Sequence, residues 1–245
     1  GYTGRLIVNA CKGRGLNILL SGRDHSKLKE LSQATGYPFE ACDLNDTPCL
    51  TRLLGRAAMV IHCAGRFQRT ARPMGGACLT SQTHYLHITG EYSVFEMLAG
   101  YDSLAKTRGI LVMPGVGFDV VPSDCLAVHL SNRLPGATHL QLAFSMSKGG
   151  VSRGTARTMV EGLGYGSTIR KDGKLTPIAL GEKAMEIDFG SFTGTAMCIP
   201  WGDIATAWRS TGIPNIEVYA AVPPRTLRMA KLSHFFNWAL RNEWI

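Results

Sequence analysis

Two kinds of apolar pattern alternate along the first half of the chain. Short apolar runs typical of strands occur at 17–20, 38–42, 58–63, 84–88 and 109–113. Stretches with a helical spacing of apolar residues separate them, at 5–14, 25–35, 47–54, 73–81 and 91–107. The run 58–63 is continuous, which is typical of a parallel strand covered on both faces. Strands joined by single helices require right-handed crossovers, so this half predicts a doubly wound parallel sheet and an α/β fold.

The pattern changes after residue 122. Pro122 fits the first turn of a helix that ends at Arg133. The Asp172-Gly173 pair favours a hairpin turn within 168–175. The other predicted elements are a helix at 153–163 and strands at 137–146, 185–189, 194–199 and 215–221. Hairpins and irregular loops predict a second, α+β domain with an antiparallel sheet.

The segment Gly1-Tyr2-Thr3-Gly4 has the composition of the end of a glycine-rich phosphate loop. A helical stretch and a strand follow it, and Ser21-Gly22-Arg23-Asp24 lies about 20 positions further on, which is the order of a dinucleotide-binding unit. Glycines let the backbone approach a pyrophosphate, and the helix N-terminus supplies unpaired N–H groups. We expect Gly1 and Gly4 to be the second and third glycines of this motif, with its first strand missing. A purely structural glycine at a helix start is the alternative.

The residues at the predicted strand ends favour a nucleotide ligand. Arg23 can make planar, charge-assisted contacts with the 2′-phosphate of NADP. Asp24 offers the alternative of binding the ribose hydroxyls of NAD, which we expect less. Asp43 is placed to reach the adenine edge, and the small residues Cys63-Ala64-Gly65 would admit a flat nucleotide. Each of these could instead be ordinary turn chemistry, so the prediction depends on their joint placement.

The loop from Met113 to Asp124 follows the last strand of the alternating half. Its two glycines, Gly115 and Gly117, and its two prolines indicate close approach of the backbone to a ligand, with the nicotinamide as our interpretation. A structured crossover between domains is the alternative. Asp119 and Asp124 are the acids of this loop that could act in catalysis.

Composition and charge exclude several classes of function. The 245 residues are 45% hydrophobic and 18% charged, which is globular composition, and no apolar run is long enough to span a membrane. The net charge of +8 is spread along the chain without the aromatic interleaving of nucleic-acid surfaces, so no nucleic-acid partner is predicted. Seven scattered cysteines without metal-ligand spacing predict reduced thiols, a cytoplasmic protein and no metal site.

Motifs along nearly the whole chain resemble saccharopine dehydrogenase-like oxidoreductases, a group that includes the trans-acting enoyl reductases of mycobacterial glycolipid synthesis. The matching segments are Gly1-Tyr2-Thr3-Gly4, Ser21-Gly22-Arg23, His62-Cys63-Ala64-Gly65, Thr83-His84-Tyr85, Ile88-Thr89-Gly90-Glu91, 114–124, Ser152-Arg153-Gly154-Thr155-Ala156, Pro200-Trp201-Gly202-Asp203 and Ser210-Thr211-Gly212-Ile213-Pro214. The resemblance implies a Rossmann domain that binds NADP over 1–122, a substrate domain over 123–245 and missing segments at both ends.

Two departures from the family pattern lie near the expected cleft. Arg66 stands where the family usually has proline, and His87 stands where it usually has aspartate. Neither departure removes the predicted cofactor site, but both concern the identity of the substrate and the activity of the protein. With the resemblance, Arg153, Thr155 and Trp201 are candidate substrate contacts, Arg153 as an anchor for a carboxylate or phosphate.

Known catalytic motifs narrow the chemistry. No tyrosine is followed four residues later by lysine, and no His-Glu-x-x-His pair occurs. Hydride transfer remains, in which the cofactor carries the reaction and the protein supplies orientation and a proton donor. The candidate donors are His84, Tyr85, Glu91, Asp119 and Asp124, and for each of them a structural role is the alternative.

Two functions follow. One is an NADP-dependent reductase of an activated C=C or C=N bond in a small-molecule substrate, with lipid metabolism as a candidate setting; the other is an NADP-binding sensor or scaffold without turnover. The basic and aromatic stretch 225–245 could contact a membrane surface peripherally. Packing of this stretch against protein, including a second copy in a homodimer, is the interpretation we favour.

Overall fold

The computed structural model describes residues 1–146 and 166–233. The predicted helix at 153–163 and the candidates Arg153 and Thr155 lie outside these residues. Internal contacts divide the chain into two compact units. The first comprises Gly1–Thr89 and Ser93–Gly117, and the second comprises Gly90–Tyr92 and the residues from Phe118 onward. The functional division at residue 122 stays a prediction.

The first unit alternates helices with short parallel strands, as predicted. In chain order its elements are α1 (Tyr2–Cys11), β1 (Leu20–Gly22), α2 (His25–Thr35), β2 (Phe39–Ala41), α3 (Thr47–Leu54), β3 (Met59–His62), α4 (Phe67–Ser81), β4 (His84–His87), α5 (Tyr92–Ala99), α6 (Asp102–Arg108) and β5 (Val112–Met113). Strand β1 pairs with β2, and β3, β4 and β5 form a second sheet in that order. Both sheets are parallel, which confirms the α/β class.

Several elements differ from their predicted bounds. Strand β1 begins at Leu20 rather than at residue 17, because its partner β2 first reaches it at the Leu20–Phe39 pair. Helix α4 begins six residues before Pro73, since Phe67 and Ala71 are buried in the core one turn apart. The helical stretch 91–107 is divided into α5 and α6 around residue 100.

The prediction that the strand at 58–63 is covered on both faces is wrong. Met59 and Ile61 remain 44% exposed, whereas Val60 and His62 point to the buried face. Successive side chains of a strand point to opposite faces. The core of this unit packs on the side of Val60, around Leu54, Ala71 and other apolar residues, so only that face is covered.

The second unit is built on a mixed sheet. Its elements are α7 (Val121–Arg133), β6 (His139–Phe144), β7 (Ser167–Lys171), β8 (Lys174–Ile178), β9 (Ala184–Asp188), β10 (Thr193–Cys198), α8 (Asp203–Thr211), β11 (Asn215–Ala221) and α9 (Pro224–Ser233). The strand order is β8-β7-β11-β10-β9, and β6 pairs with β11 in parallel. This parallel pair corrects the expectation of a purely antiparallel sheet; the long connection from β6 to β11 leaves room for a crossover.

The predicted hairpin is confirmed between β7 and β8. Asp172 and Gly173 have φ angles of 49° and 75°, and positive φ at both central positions is the type I′ geometry that matches the twist of antiparallel strands. Helix α8 was not predicted from the sequence. It is fixed mainly by packing, because Ile204, Ala205 and Ala207 are fully buried.

Helix α9 is the described part of the basic and aromatic stretch 225–245. Met229 and Leu232 are exposed on it, and the aromatic residues that follow lie beyond the described residues. Over the ranges 1–146 and 166–233, no helix has the length and apolarity needed to cross a bilayer.

Candidate functional site

The carboxyl ends of the strands in the first unit carry the candidate cofactor residues. Ser21 and Gly22 end β1, Cys63 directly follows β3, and Gly115 lies two residues beyond β5. In doubly wound sheets ligands bind at this edge. A methyl group built on Gly4 would lie 3.8 Å from Cys63 Cβ, so the start of α1 and the end of β3 are in contact.

The segment Gly1-Tyr2-Thr3-Gly4 forms the first turn of α1 rather than a loop ahead of it. The helix begins at Tyr2 with Gly1 as its N-cap, and glycine has no side chain that could cap the turn. The sequence pattern placed the helix start at residue 5, because the four residues carry a loop composition. A helix N-terminus without a side-chain cap keeps backbone N–H groups for another acceptor, such as a phosphate.

Arg23 and Asp24 have different surroundings. Asp24 caps α2, where its carboxylate accepts a hydrogen bond from Lys27 N (3.1 Å) and forms an ion pair with Lys27 Nζ (2.9 Å). These hydrogen bonds lower the pKa of the Asp24 carboxyl. Arg23 is exposed, and within the described ranges its guanidinium has no hydrogen-bond or ion-pair partner. The cation is therefore available to a ligand, whereas the anion is already engaged.

Other candidate cofactor residues take part in turns. Asp43 Oδ1 accepts hydrogen bonds from the backbone and side-chain amides of Asn45, both at 2.9 Å, so its carboxylate stabilises the turn after β2. The Ser21 hydroxyl donates to Glu40 O at 3.0 Å. Ala64 and Gly65 are exposed directly after β3. The Asp43 contacts match the turn chemistry that we considered as the alternative, and the Ser21 contact joins β1 to β2. Ala64 and Gly65 are accessible.

The loop after β5 is packed against the end of β4. Gly115 is buried with a φ of 71°, a conformation that favours glycine. A methyl group on Gly117 would lie 3.3 Å from the carbonyl oxygen of Ile88. Val116 N donates to His87 O at 2.9 Å. Gly115 is thus explained by its backbone conformation, and Gly117 by the close approach of this loop to the end of β4.

A buried cluster of rings lies at the ends of β3 and β4. His62 and His87 are cross-strand neighbours and are 2% and 0% exposed. Both flank Phe67, and the centroid of each imidazole lies 5.2 Å from the centroid of the Phe67 ring. His62 Nδ1 lies 3.0 Å from the Tyr85 hydroxyl. Burial lowers the pKa of both histidines to about 4, so the imidazoles are neutral at pH 7. Their Nε2 atoms have no hydrogen-bond partner among the described residues.

Two of the candidate proton donors belong to this part of the unit. Tyr85 is fully buried, and its burial raises the pKa of the phenol. His84 lies at the amino end of β4, where its Nδ1 accepts a hydrogen bond from Leu111 N at 2.9 Å. Both side chains therefore have contacts inside the first unit, which fit the structural role that we considered as the alternative to proton donation.

The remaining candidates lie in the second unit. Trp201 Nε1 donates to Asp119 O at 2.8 Å, and a methyl group on Gly90 would lie 3.6 Å from Asp119 Cβ and 3.8 Å from the Trp201 ring. Gly90, Asp119 and Trp201, one residue from each of three sequence motifs, thus meet within the second unit, which also contains Glu91. Asp119 is exposed, and partial desolvation raises the pKa of its carboxyl.

Asp203 is a residue that the candidate set lacked. It lies in the first turn of α8, it is 0% exposed, and neither carboxyl oxygen has a hydrogen-bond partner in the described part of the chain. Burial raises the pKa of Asp203 to about 6, and the charges of Asp124 and Asp119 raise it further. Asp124 Oδ2 accepts from the Ser210 hydroxyl at 2.8 Å. The Trp201-Gly202-Asp203 motif draws attention to this position in the sequence, but the sequence does not predict that the carboxyl is buried.

Arg66 changes the backbone at the turn between β3 and α4. It has a φ of 60°, in the left-handed region. Proline is restricted to φ near −65° and could not take this conformation. The departure from the family pattern at this position is therefore a change of local backbone geometry as well as of charge.

The comparisons with known proteins agree with these motifs. No protein-family model matches the sequence. The chain is 24% identical over 196 residues to the saccharopine dehydrogenase-like oxidoreductase of Mus musculus, which covers 70% of this chain and 46% of that protein. It is 27% identical over 141 residues to the trans-acting enoyl reductase of Mycobacterium ulcerans, with 54% and 34% covered. The chain thus spans less than half the length of these relatives.

Among solved structures, the chain is similar to apo saccharopine dehydrogenase (L-Glu forming) from Saccharomyces cerevisiae. The TM-score is 0.68 at 13% identity, with 94% of this chain and 55% of that chain covered. At this identity the likeness shows the fold. The predicted resemblance to saccharopine dehydrogenase-like oxidoreductases is confirmed.

Proposed function

We propose that the chain is the NADP-binding and substrate-binding part of a reductase that transfers hydride to an activated C=C or C=N bond. The observation that carries this proposal is the joint placement of candidate residues at the carboxyl ends of parallel strands. The first turn of α1, which has a glycine as its N-cap, touches Cys63, and Arg23 is exposed after β1 without a hydrogen-bond or ion-pair partner among the described residues. Phosphate groups suit the first of these positions and a 2′-phosphate suits the second.

The preference for NADP over NAD is argued from Arg23 and Asp24. The Asp24 carboxylate already accepts from the N-cap amide of α2 and pairs with Lys27, and these partners compete with ribose hydroxyls for it. Arg23 has no such commitment and can contact a phosphate in a planar, charge-assisted way. We therefore propose NADP as the cofactor and Arg23 as the residue that selects it.

For the proton we propose Asp119 as the donor. A reductase needs one proton in addition to the hydride that the cofactor supplies. Tyr85 is completely buried and His84 lies at the opposite edge of the sheet from the ligand side, whereas Asp119 is exposed and lies beside Trp201. Its raised carboxyl pKa increases the fraction of the acid form near neutral pH. Trp201 would pack against the substrate next to it.

The substrate class is proposed from the relatives. One of them is named a trans-acting enoyl reductase, and the fold is that of a saccharopine dehydrogenase. Enoyl compounds of lipid type and imines are therefore the substrates that we propose. The domain after residue 122 would hold them.

The test is a substrate screen that follows NADPH absorbance with enoyl, imine and keto compounds. We expect oxidation of NADPH with at least one enoyl or imine compound and a loss of turnover of about 10²-fold or more in Asp119→Asn, the contribution typical of a positioned acid. Binding of NADPH without oxidation by any compound would instead support a sensor or scaffold protein.

A further inference from the structure

Strand β4 carries two histidines that accept backbone hydrogen bonds through the same ring atom. At its amino end, His84 Nδ1 accepts from Leu111 N at 2.9 Å. At its carboxyl end, His87 Nδ1 accepts from Thr89 N at 3.2 Å and from Gly115 N at 3.4 Å. The two imidazoles thus connect β4 with the start and with the end of the β5 segment.

These hydrogen bonds fix the tautomer of His87. An imidazole nitrogen that accepts N–H groups carries no proton, so the single proton of the neutral ring lies on Nε2. Nε2 is buried without a hydrogen-bond partner among the described residues, and the rings of Phe67, Tyr85 and Phe95 surround the imidazole at centroid distances of 5.2 to 6.0 Å. Leaving a buried donor without a hydrogen bond costs stability.

An apolar side chain at position 87 would avoid that cost, but it could not accept from Gly115. The loop around Gly115 is held to the end of β4 at two further points on the backbone. Val116 N donates to His87 O, and Gly117 lies in contact with the carbonyl of Ile88. The positive φ of Gly115 turns the chain at this place. Among these contacts in the described structure, the hydrogen bond from Gly115 N to the His87 imidazole is the one that a side chain makes with the loop backbone.

We propose that His87 is a positioning residue, which holds the loop 114–117 against β4 through its unprotonated Nδ1 and so sets the shape of the cofactor site. The proposal rests on the proposed function and on our interpretation of the sequence that this loop contacts the nicotinamide of NADP. His62 is the contrasting neighbour, because its Nδ1 faces the Tyr85 hydroxyl and not the loop.

The experiment compares three variants. His87→Leu removes the acceptor, and His87→Asn keeps an acceptor oxygen near the position of Nδ1. His84→Leu is the matched control, because it removes the same type of hydrogen bond at the amino end of the strand, which we place outside the binding site. NADPH dissociation constants are measured by calorimetry, melting temperatures by scanning, and exchange of the Gly115 amide hydrogen by NMR.

We expect His87→Leu to weaken NADPH binding about tenfold, the equivalent of one lost hydrogen bond. His87→Asn should restore most of the affinity, and His84→Leu should lower the melting temperature without changing the affinity. In the wild type, ¹⁵N NMR should show the proton of His87 on Nε2. The Gly115 amide should exchange faster in His87→Leu and slowly in His87→Asn.

Equal losses of affinity in His87→Leu and His87→Asn would overturn the proposal, because a residue that only fills space gives this result. A proton on Nδ1 of His87 would overturn it as well. A wild type that does not bind NADPH contradicts the proposed function instead, and the exchange of the Gly115 amide still decides whether His87 holds the loop.

Discussion

The two units bury ionisable groups of opposite type. In the first unit, His62 and His87 lie in an aromatic cluster, and burial lowers the pKa of each imidazole to about 4. In the second unit, Asp203 lies in the first turn of α8, and burial raises the pKa of its carboxyl to about 6. Desolvation favours the neutral form in both places, so the shifts have opposite directions.

The comparison predicts opposite effects of acid on the two clusters. The folded state disfavours protonated His62 and His87, so their contribution to stability is lost as pH falls from 6.5 towards 4. The folded state disfavours ionised Asp203, so its contribution is present below pH 3.8 and is lost as pH rises towards 6. Each shift corresponds to roughly 3 kcal/mol over its full window.

The largest effect is expected from removal of one imidazole. His62→Asn keeps an acceptor for the Tyr85 hydroxyl and removes the titration. Between pH 7 and pH 4, its unfolding free energy should fall by roughly 3 kcal/mol less than that of the wild type, measured by urea denaturation. The exposed His129→Asn is the control and should follow the wild type. Equal acid sensitivity of His62→Asn and wild type would show that His62 is not buried as described.

The effect of opposite sign is expected at Asp203. Asp203→Asn removes the carboxyl that gains a proton on acidification, so the variant lacks a stabilisation of up to roughly 3 kcal/mol between pH 6 and pH 4. Its unfolding free energy should therefore fall more steeply than that of the wild type over this window. Asp188→Asn, in an exposed strand end, serves as the control. A flatter profile in Asp203→Asn would contradict the assignment of a raised pKa.

The smallest effect concerns helix capping in the first unit. Asp24 and Asp46 cap α2 and α3 in the same way, by accepting from the backbone amides of Lys27 and Cys49. Each Asp→Ala change should cost about 1 kcal/mol in denaturant unfolding. If Asp24 acts only as a cap, neither change alters the affinity for NADH. A loss of NADH affinity in Asp24→Ala alone would assign Asp24 to the ribose.

These caps also explain which helices could be predicted from the sequence. The bounds 25–35 and 47–54 were predicted to the residue, because Asp24, Gly36 and Asp46 mark the ends locally. Helix α8 begins at Asp203, and its N-cap residue, Gly202, has no side chain that could cap it. The helix depends instead on the burial of Ile204. Information of that kind is tertiary, so the sequence pattern alone does not contain it.

In the candidate site, too, some features could be predicted from the sequence and others could not. Positions at strand ends follow from the order of elements, which is why Arg23, Cys63 and Gly115 could be predicted to share one edge. The contacts of single side chains do not follow from that order. The commitment of Asp24 to Lys27 and the complete burial of Asp203 depend on neighbours brought together by folding.

The central claim is that Arg23 selects NADP at the edge of the parallel strands. The most direct measurement is calorimetric titration of the wild type and of Arg23→Ala with NADPH and with NADH. We predict that the wild type binds NADPH roughly 10- to 100-fold more tightly than NADH, as one hydrogen bond to a charged group allows. Arg23→Ala should lose most of this preference and keep its NADH affinity. Equal affinities of the wild type for the two cofactors would contradict the account.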